Sequence, residues 1–209
     1  MKVLLVNGSP NEKGCTYTAL SEIAKTLEEQ GVETEIFHIG NKPVRGCIGC
    51  GGCKKSADSR CVFNDDILNQ LADKAKEADG YVFGSPVFYA SPNGAMLAIM
   101  DRLFYSAGKY MAYKPAACIA SARRAGTTAT YDALNKYIGI NHMLMVPANY
   151  WNMVHGSKPE DVKQDLEGLQ TMRTIGKNMA WMLKLLEMGK TNGLHHPEIE
   201  DKIKTNFIR

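Results

Sequence analysis

The chain has 209 residues, of which 44% are hydrophobic and 22% charged, and its formal net charge is +3. These values are typical of a soluble globular protein with one large core, and the charge is too small to predict binding to nucleic acid or to an anionic membrane. No apolar run reaches membrane-spanning length and the first residues lack a signal-peptide core, so we expect a cytoplasmic protein with reduced thiols.

The first predicted unit is a strand, a loop and a helix. Lys2 to Val6 is a nearly continuous apolar run, as in a strand buried on both faces of a parallel sheet. A polar loop follows, and then a helical repeat of apolar residues that ends at Gly31. Loop amides and a helix N-terminus together bind anions, and the hydroxyls of Ser9, Thr16 and Thr18 can add hydrogen bonds. The unit predicts a phosphate site, although it matches neither the P-loop nor the G-x-G-x-x-G pattern.

A cysteine-rich segment, Gly46 to Cys61, follows the second predicted strand. Its cysteines have the spacing C-x2-C-x2-C-x7-C and are Cys47, Cys50, Cys53 and Cys61. Thiolates at every third residue of a glycine-rich loop can turn toward one inorganic centre, and iron–sulfur clusters take four such ligands. Zinc sites more often use two separated C-x2-C pairs. The spacing favours an iron–sulfur cluster, with a structural zinc site and free thiols as the alternatives.

The third predicted strand leads into an aromatic loop. Asn64 to Asp66 precedes the helix before it, so these carboxylates are interpreted as a helix cap and not as a catalytic dyad. The strand, Tyr81 to Gly84, continues into the proline-rich loop Ser85 to Gly94. Such a loop at the carboxyl end of a strand can lay flat surfaces against a planar ligand. The next helix has an apolar core face, and we place Asp101 and Arg102 on its other side.

The last two strands are predicted at Ala116 to Ser121 and at His142 to Val146. An arginine- and glycine-containing loop, Ala122 to Thr128, follows the first of them. An aromatic loop, Asn149 to Gly156, follows the second. A long amphipathic helix then leads to a polar tail.

Five buried strands that alternate with helices predict an α/β fold, a flavodoxin-like three-layer doubly wound sheet with five parallel strands in the order 2-1-3-4-5. The domain is expected at residues 1–188, with the cysteine-rich insert at 46–61. The tail at 189–209 is expected to contact another subunit of a homodimer or homotetramer. In this strand order a ligand binds at the carboxyl ends of strands one and three. The phosphate loop, the aromatic loop and the arginine–glycine loop all project there, and together they predict FMN.

The loops resemble those of the flavodoxin-like NAD(P)H-dependent FMN reductase family. Gly8 to Thr16 resembles the family's G-S-P-R-x-x-G-N-T phosphate loop, with Asn11 in place of the arginine and Cys15 in place of the asparagine. Ser85 to Tyr89, followed by an Asp-Arg pair, resembles its flavin-wall segment, and Ser121 to Gly126 matches the third flavin-contacting loop. The cysteine spacing is similar to that of the iron–sulfur flavoprotein branch, C-x2-C-x2-C-x4–7-C.

The resemblance, which covers roughly residues 1 to 155, implies an FMN-dependent NAD(P)H oxidoreductase with a [4Fe–4S] cluster as second cofactor. Electrons would pass to a small acceptor such as a quinone or a flavin, or singly to the cluster. No catalytic side chain is expected, because the flavin itself carries the hydride. The alternative is an FMN and iron–sulfur electron-transfer protein that accepts electrons from ferredoxin and has no small-molecule substrate of its own.

The resemblance also implies a set of site residues. The four cysteines are the expected metal ligands, and Tyr89 and Trp151 are the expected neighbours of the flavin ring. Arg123 or Arg124 would stabilise negative charge on the reduced flavin. The expected FMN-binding residues are Ser9, Pro10, Asn11, Gly14, Cys15, Thr16, Ser85, Pro86, Val87, Phe88, Tyr89, Ser121, Arg123, Arg124 and Gly126.

Overall fold

Strands and helices alternate along the chain as the sequence predicts. The structure is a computed structural model that describes residues 1–205 and 207. Within these residues the elements are β1 (Lys2–Asn7), α1 (Cys15–Glu29), β2 (Glu33–His38), α2 (Gly52–Lys55), α3 (Leu68–Glu77), β3 (Gly80–Phe88), β4 (Ser91–Pro92), α4 (Gly94–Ala107), a 3-10 turn (Gly108–Tyr110), β5 (Pro115–Ala122), α5 (Thr127–Ile140), β6 (Leu144–Met145), β7 (Met153–His155), α6 (Pro159–Val162) and α7 (Leu166–Thr191).

The central sheet has the order β2-β1-β3-β5-β6, and every pair along this path is parallel. Since β5 and β6 are the fourth and fifth predicted strands, the predicted order 2-1-3-4-5 is confirmed. Two short strands share the outer position. β6 pairs with the start of β5, and β7 pairs in parallel with its end.

The fifth strand is shorter than predicted. His142 has φ of 55°, which is a turn conformation, so the strand does not begin there. Val146 still donates its N–H to Ala116 O at 2.8 Å, but the next residue is Pro147, which has no N–H to continue the ladder. The chain leaves the sheet at this point and rejoins it at Met153.

Side chains of alternate strand residues pack on opposite faces of the sheet, as the period of two requires. Leu4 and Val6 pack with α3, α4 and α5, whereas Val3 and Leu5 pack with α1 and α7. Helices α1 and α7 approach closely, since a Cβ on Gly176 would lie 2.8 Å from Thr26 Cβ. Among the helices described here, none is long and apolar enough to cross a membrane.

The predicted tail begins inside the last helix, because α7 continues to Thr191. Beyond it, His196 stacks on Tyr113 with ring centroids 4.5 Å apart. Ile203 and Phe207 are exposed, and positions 206, 208 and 209 lie outside the described residues. The subunit contact of the tail stays a prediction.

Candidate flavin and iron–sulfur sites

The predicted phosphate loop leads to a helix N-terminus that lacks a side-chain cap. Gly14 is the N-cap of α1, and no side chain in the described part of the chain accepts from the amides of its first turn, Cys15 to Tyr17, as a cap. By contrast, Asn93 caps α4 and Asp165 caps α7 with their own oxygens. An uncapped N-terminus with no acidic residue in its first turn leaves N–H donors and the positive end of the helix dipole for an anion.

Two buried asparagines, neither of them expected from the sequence, hold this loop in shape. Asn7 Oδ1 accepts from Ser9 N at 3.1 Å, and Asn7 Nδ2 donates to Glu12 O at 2.9 Å. Asn93 Nδ2 donates to Gly8 O at 2.9 Å. Two signals in the sequence could have identified them. Asn7 is a polar residue at the end of an apolar strand, and Asn93 is a favourable N-cap residue ahead of a helix. The loop therefore keeps its conformation through contacts within the protein.

Backbone contact also fixes the loop at Gly8. Its N–H donates to Gly84 O at 2.8 Å, and a Cβ on Gly8 would lie only 2.7 Å from that oxygen. Ser85 Oγ accepts from Asn93 N at 2.9 Å, which ties the strand β3 to the start of α4. Hydrogen bonds therefore hold the loop after β1 against the loop after β3.

Hydroxyl groups connect the first loop to the loop after β5. Thr16 Oγ1 and Ser121 Oγ are 2.8 Å apart and both residues are buried. Ser9 Oγ accepts from Asn11 N at 3.1 Å, so its hydrogen stays available as a donor. Thr18, in contrast, donates its hydroxyl to Gly14 O at 3.1 Å inside the helix. Of these hydroxyls, those of Ser9 and Thr16 lie at contacts within and between the loops, whereas that of Thr18 is used inside α1.

The Cys15 side chain, at the position where the family's loop has asparagine, contacts the main chain near the start of α6. Its Sγ donates to Gly156 O at 3.5 Å. Burial, and then the charge of Asp161, raise the pKa of the Cys15 thiol. The thiol therefore stays neutral at physiological pH and does not repel an anion bound at the loop.

The predicted flavin wall is a small hairpin. Strand β3 continues to Phe88 and pairs back with β4, and the turn residues Tyr89 and Ala90 have φ of 52° and 58°. Positive φ at a residue with a side chain is energetically unfavourable, so surrounding contacts must impose it. One such contact is Gly126, where a Cβ would lie 2.7 Å from Ala90 Cα. The Tyr89 ring is fully exposed as a result.

The remaining residues that were predicted for the flavin site lie on the surface. Arg123 and Arg124 are exposed in the turn after β5. Trp151 is half exposed and packs against Tyr131, with ring centroids 6.5 Å apart, and against Tyr150, at 5.8 Å. The structure thus joins the first, third and fourth-strand loops closely and places Trp151 in an aromatic group of its own.

The four cysteines of the insert line one cavity. None of them forms a disulfide within the described residues. Partial burial, and to a lesser degree the thiols of Cys61, Cys47 and Cys50, raise the pKa of Cys53, which reflects how near these groups are to one another. Residues 1–205 and 207 contain no set of three ligating side chains close enough for a single metal ion. Four cysteine side chains lining one cavity supply the ligand number of a [4Fe–4S] cluster and equally that of a structural zinc site.

Arg102 lies against this cavity, and its predicted position on the polar side of α4 is wrong. Its side chain is 1% exposed and forms an ion pair with the buried Asp66. Arg102 Nη1 donates to Arg45 O at 3.0 Å, and Nη2 donates to Cys61 Sγ at 3.4 Å. Spacing was the missed signal, since Arg102 lies three residues after the buried Ile99.

The predicted capping role of Asp66 is present beside this ion pair. Its Oδ1 accepts from Leu68 N at 3.1 Å, at the start of α3. Burial disfavours the charged carboxylate, but the hydrogen bonds and charge of Arg102 outweigh it and hold the pKa of Asp66 below its usual value. Asp66 is therefore both a cap and the counterion of a buried arginine.

The sheet order and the loops at its carboxyl edge define a flavodoxin-like α/β protein. The chain belongs to the NADPH-dependent FMN reductase family, whose sequence profile matches residues 1–158. An iron–sulfur flavoprotein of Methanocaldococcus jannaschii is 32% identical over 195 residues, which cover 90% of this chain and 100% of the relative. An iron–sulfur flavoprotein of Methanosarcina thermophila is 25% identical over 194 residues, 91% of this chain and 99% of the relative.

The fold also matches solved structures. RosB, solved with 8-demethyl-8-formylriboflavin-5′-phosphate bound, superposes with a TM-score of 0.70 over 100% of this chain and 94% of its own. The two sequences are 16% identical, so this likeness concerns the fold alone.

Proposed function

We propose that the protein is an FMN-dependent NAD(P)H oxidoreductase that passes electrons to a small acceptor, with a [4Fe–4S] cluster at its four cysteines as a second redox centre. The observation that carries the proposal is a pre-shaped anion site and a four-thiol cavity within one α/β domain. Membership of an FMN reductase family and the names of the two relatives support it.

The residues of the first loop are suited to the phosphate of FMN. The amides of the first turn of α1 supply N–H donors, and Ser9 and Thr16 supply hydroxyls. A second uncapped helix, α5, begins after Gly126 at the same edge of the sheet. Two helix N-termini and no acidic residue in either first turn make this edge favourable for an anionic cofactor.

The hairpin at Ser85 to Tyr89 and the loop after β5 are suited to the flavin ring. FMN supplies the redox chemistry when bound: it accepts a hydride from the nicotinamide and gives electrons on to the acceptor. The hairpin from Ser85 to Tyr89 offers main-chain groups and apolar surface, and its exposed tyrosine can cover the ring from solvent. Arg123 and Arg124 put positive charge beside the loop, which favours the anionic reduced cofactor.

A second candidate is an electron-transfer protein without a small-molecule substrate. It is favoured by the exposure of Cys47 and Cys50, together with the cations Lys54 and Lys55 beside them. A cluster at an exposed, positively charged edge suits electron exchange with an acidic protein such as ferredoxin.

The deciding experiment combines a spectrum, an elemental analysis and an assay. Anaerobically purified and reconstituted protein should show flavin absorption together with about four irons per chain. It should also oxidise NADPH or NADH in the presence of a quinone and without any partner protein. Absence of bound flavin after incubation with FMN would refute the proposal. A flavin that is inert to both nicotinamides but reduced by ferredoxin would establish the electron carrier in its place.

A further inference from the structure

The four cysteines of the cavity differ in how firmly the protein holds them. Cys47 and Cys50 are exposed, and Cys53 has one long sulfur contact, 3.8 Å to Tyr105 O. Cys61 is held on both sides. Its N–H donates to Asn69 Oδ1 at 2.9 Å, and its carbonyl accepts from Asn69 Nδ2 at 3.0 Å.

The Cys61 sulfur is the only one of these four that contacts a positive charge among the described residues, namely the guanidinium of Arg102 at 3.4 Å. Arg102 is itself fixed by Asp66 and by the Arg45 carbonyl. Its Nε–H is buried without a hydrogen-bond partner in the part of the chain described here, and the residue lines the cysteine cavity. A buried donor without a partner costs free energy, so a ligand in the cavity that accepts from it is favoured.

Arg102 also connects the two candidate sites along one helix. Asn93, at the N-terminus of α4, bonds to Gly8 O in the phosphate loop. Arg102 lies nine positions after Asn93, or about 14 Å along a helix axis. The start of α4 is thus bonded to the phosphate loop, and Arg102, further along the helix, is bonded to Cys61. A helix is stiff over this length, so α4 holds the two sites at a constant separation.

We propose that Arg102 is the positioning residue of the iron–sulfur site: it holds the Cys61 thiolate ready for ligation and raises the reduction potential of the bound cluster. The inference rests on the proposed cluster. Reduction adds one electron to the cluster and exchanges no atom with Arg102. A fixed positive charge and hydrogen bonds to cluster sulfur both favour the more negative, reduced form.

The test compares three variants after anaerobic reconstitution with iron and sulfide. Arg102→Met removes the charge and the hydrogen-bond donors, whereas Arg102→Lys keeps the charge. Arg45→Met is the matched control, because it removes an exposed charge just before the cysteine segment. Iron per chain and FMN affinity are measured first. The potential of the cluster is then titrated, a readout that a merely structural role would not move.

We expect Arg102→Met to lower the equilibrium constant for one-electron reduction of the cluster at least tenfold, which corresponds to 59 mV. Arg102→Lys should recover most of this loss, and Arg45→Met should change the constant less than threefold. Equal potentials in the Met and Lys variants, or a Met variant that matches wild type, would overturn the inference while the proposed function stands. Wild-type protein that binds FMN but no iron would overturn both the inference and the cluster part of the function.

A fourth variant covers the case in which Arg102→Met does not bind FMN and is therefore misfolded. Asp66→Asn leaves the guanidinium in place without its counterion. The uncompensated charge should raise the equilibrium constant for reduction at least threefold, in the opposite direction to the loss of Arg102. A decrease or no change in this variant would contradict the inference.

Discussion

The proposed flavin site and the cysteine segment differ in how completely they are formed before any ligand binds. The flavin site lies at the carboxyl edge of the sheet, at the loops after β1, β3 and β5, and is called the flavin edge below. At the flavin edge, buried groups such as Asn7 and Asn93 bond to main-chain atoms of neighbouring loops. Around the cysteine segment, Gly46 to Cys61, most residues from 41 to 58 are exposed, and the firm contacts are concentrated at Cys61. A preformed site binds its ligand with little ordering, whereas an exposed loop is ordered by the metal itself.

The first prediction separates the two sites by removing one thiol. Cys50→Ser should reduce iron from about four per chain to almost none, since an iron–sulfur cluster of this type needs four thiolates. FMN affinity and the free energy of unfolding of the metal-free protein should change little, within about 0.5 kcal/mol, because Cys50 is exposed. Iron analysis, FMN titration and urea unfolding measure the three quantities.

The matched control for that prediction is the buried cysteine of the sheet. Cys118→Ser places a hydroxyl where the side chain is fully buried, so it should destabilise the protein by about 1–3 kcal/mol yet retain the iron. Loss of iron in Cys118→Ser, or its retention in Cys50→Ser, would contradict the assignment of the ligands.

The second prediction tests the rigidity of the flavin edge. In Gly8→Ala the new Cβ would lie 2.7 Å from Gly84 O, so the loop must move away from the sheet. We expect the free energy of unfolding to fall by about 1–3 kcal/mol and FMN affinity to fall by about a hundredfold. Gly139→Ala is the control, because nothing lies within 4 Å of its Cβ position. Removing a helical glycine there should stabilise the protein by about 0.5–1 kcal/mol, and a similar loss of FMN affinity in both variants would disprove the steric reason.

The third prediction concerns one hydroxyl. Thr16→Val keeps the shape of the side chain but removes the bond to Ser121 and the hydroxyl that the proposed site would offer to a phosphate. A hydrogen bond to a charged group contributes about 1.5–3 kcal/mol, so the FMN dissociation constant should rise at least tenfold. Thr18→Val should change it less than threefold, since that hydroxyl bonds to Gly14 O. Equal effects would mean that Thr16 does not face the phosphate.

The fold could be predicted from the sequence to a large extent because its signals are local. Continuous apolar runs such as Lys2 to Val6 and the helical repeats between them specify a parallel sheet, and the order 2-1-3-4-5 follows as the common solution for five strands. The split of the outer strand could not be predicted, because it depends on the turn conformation of His142 and on where the chain returns to β5.

Residues of the candidate site could be predicted only where a polar residue type coincides with a position at the carboxyl edge of the sheet. Thr16 in the first turn of α1 and Ser121 near the end of β5 are both polar, and the structure brings their hydroxyls together. Arg102 was misplaced because a charged residue is seldom fully buried, and its burial depends on Asp66, 36 positions away in sequence. The spacing from Ile99 favours the inner face of α4 for Arg102, but the pairing with Asp66 that permits its burial leaves no local pattern in the sequence.

The fourth prediction, with the smallest effect, tests whether acid loosens the cysteine segment before the flavin edge. The pKa of Asp66 lies below its usual value of 3.8 in the folded protein. Its ion pair with Arg102 therefore contributes fully above about pH 4 and is lost as the pH falls through the folded pKa. Protonation should then leave Arg102 buried beside a neutral partner and, in the metal-free protein, where no cluster holds the cysteines, loosen the segment around Cys61.

Hydrogen exchange of the metal-free protein between pH 6 and 3, corrected for intrinsic rates, measures this loosening. Protection around Cys61 and Asn69 should fall severalfold below pH 4, while protection in β1 and the first turn of α1 stays constant. Asp66→Asn should show the low-pH pattern already at pH 6. Simultaneous loss of protection at both sites would mean that acid acts by global unfolding and that the buried ion pair is not the weak point. If the residues around Cys61 alone respond, then the Arg102–Asp66 pair is what holds Cys61 in place before any metal binds.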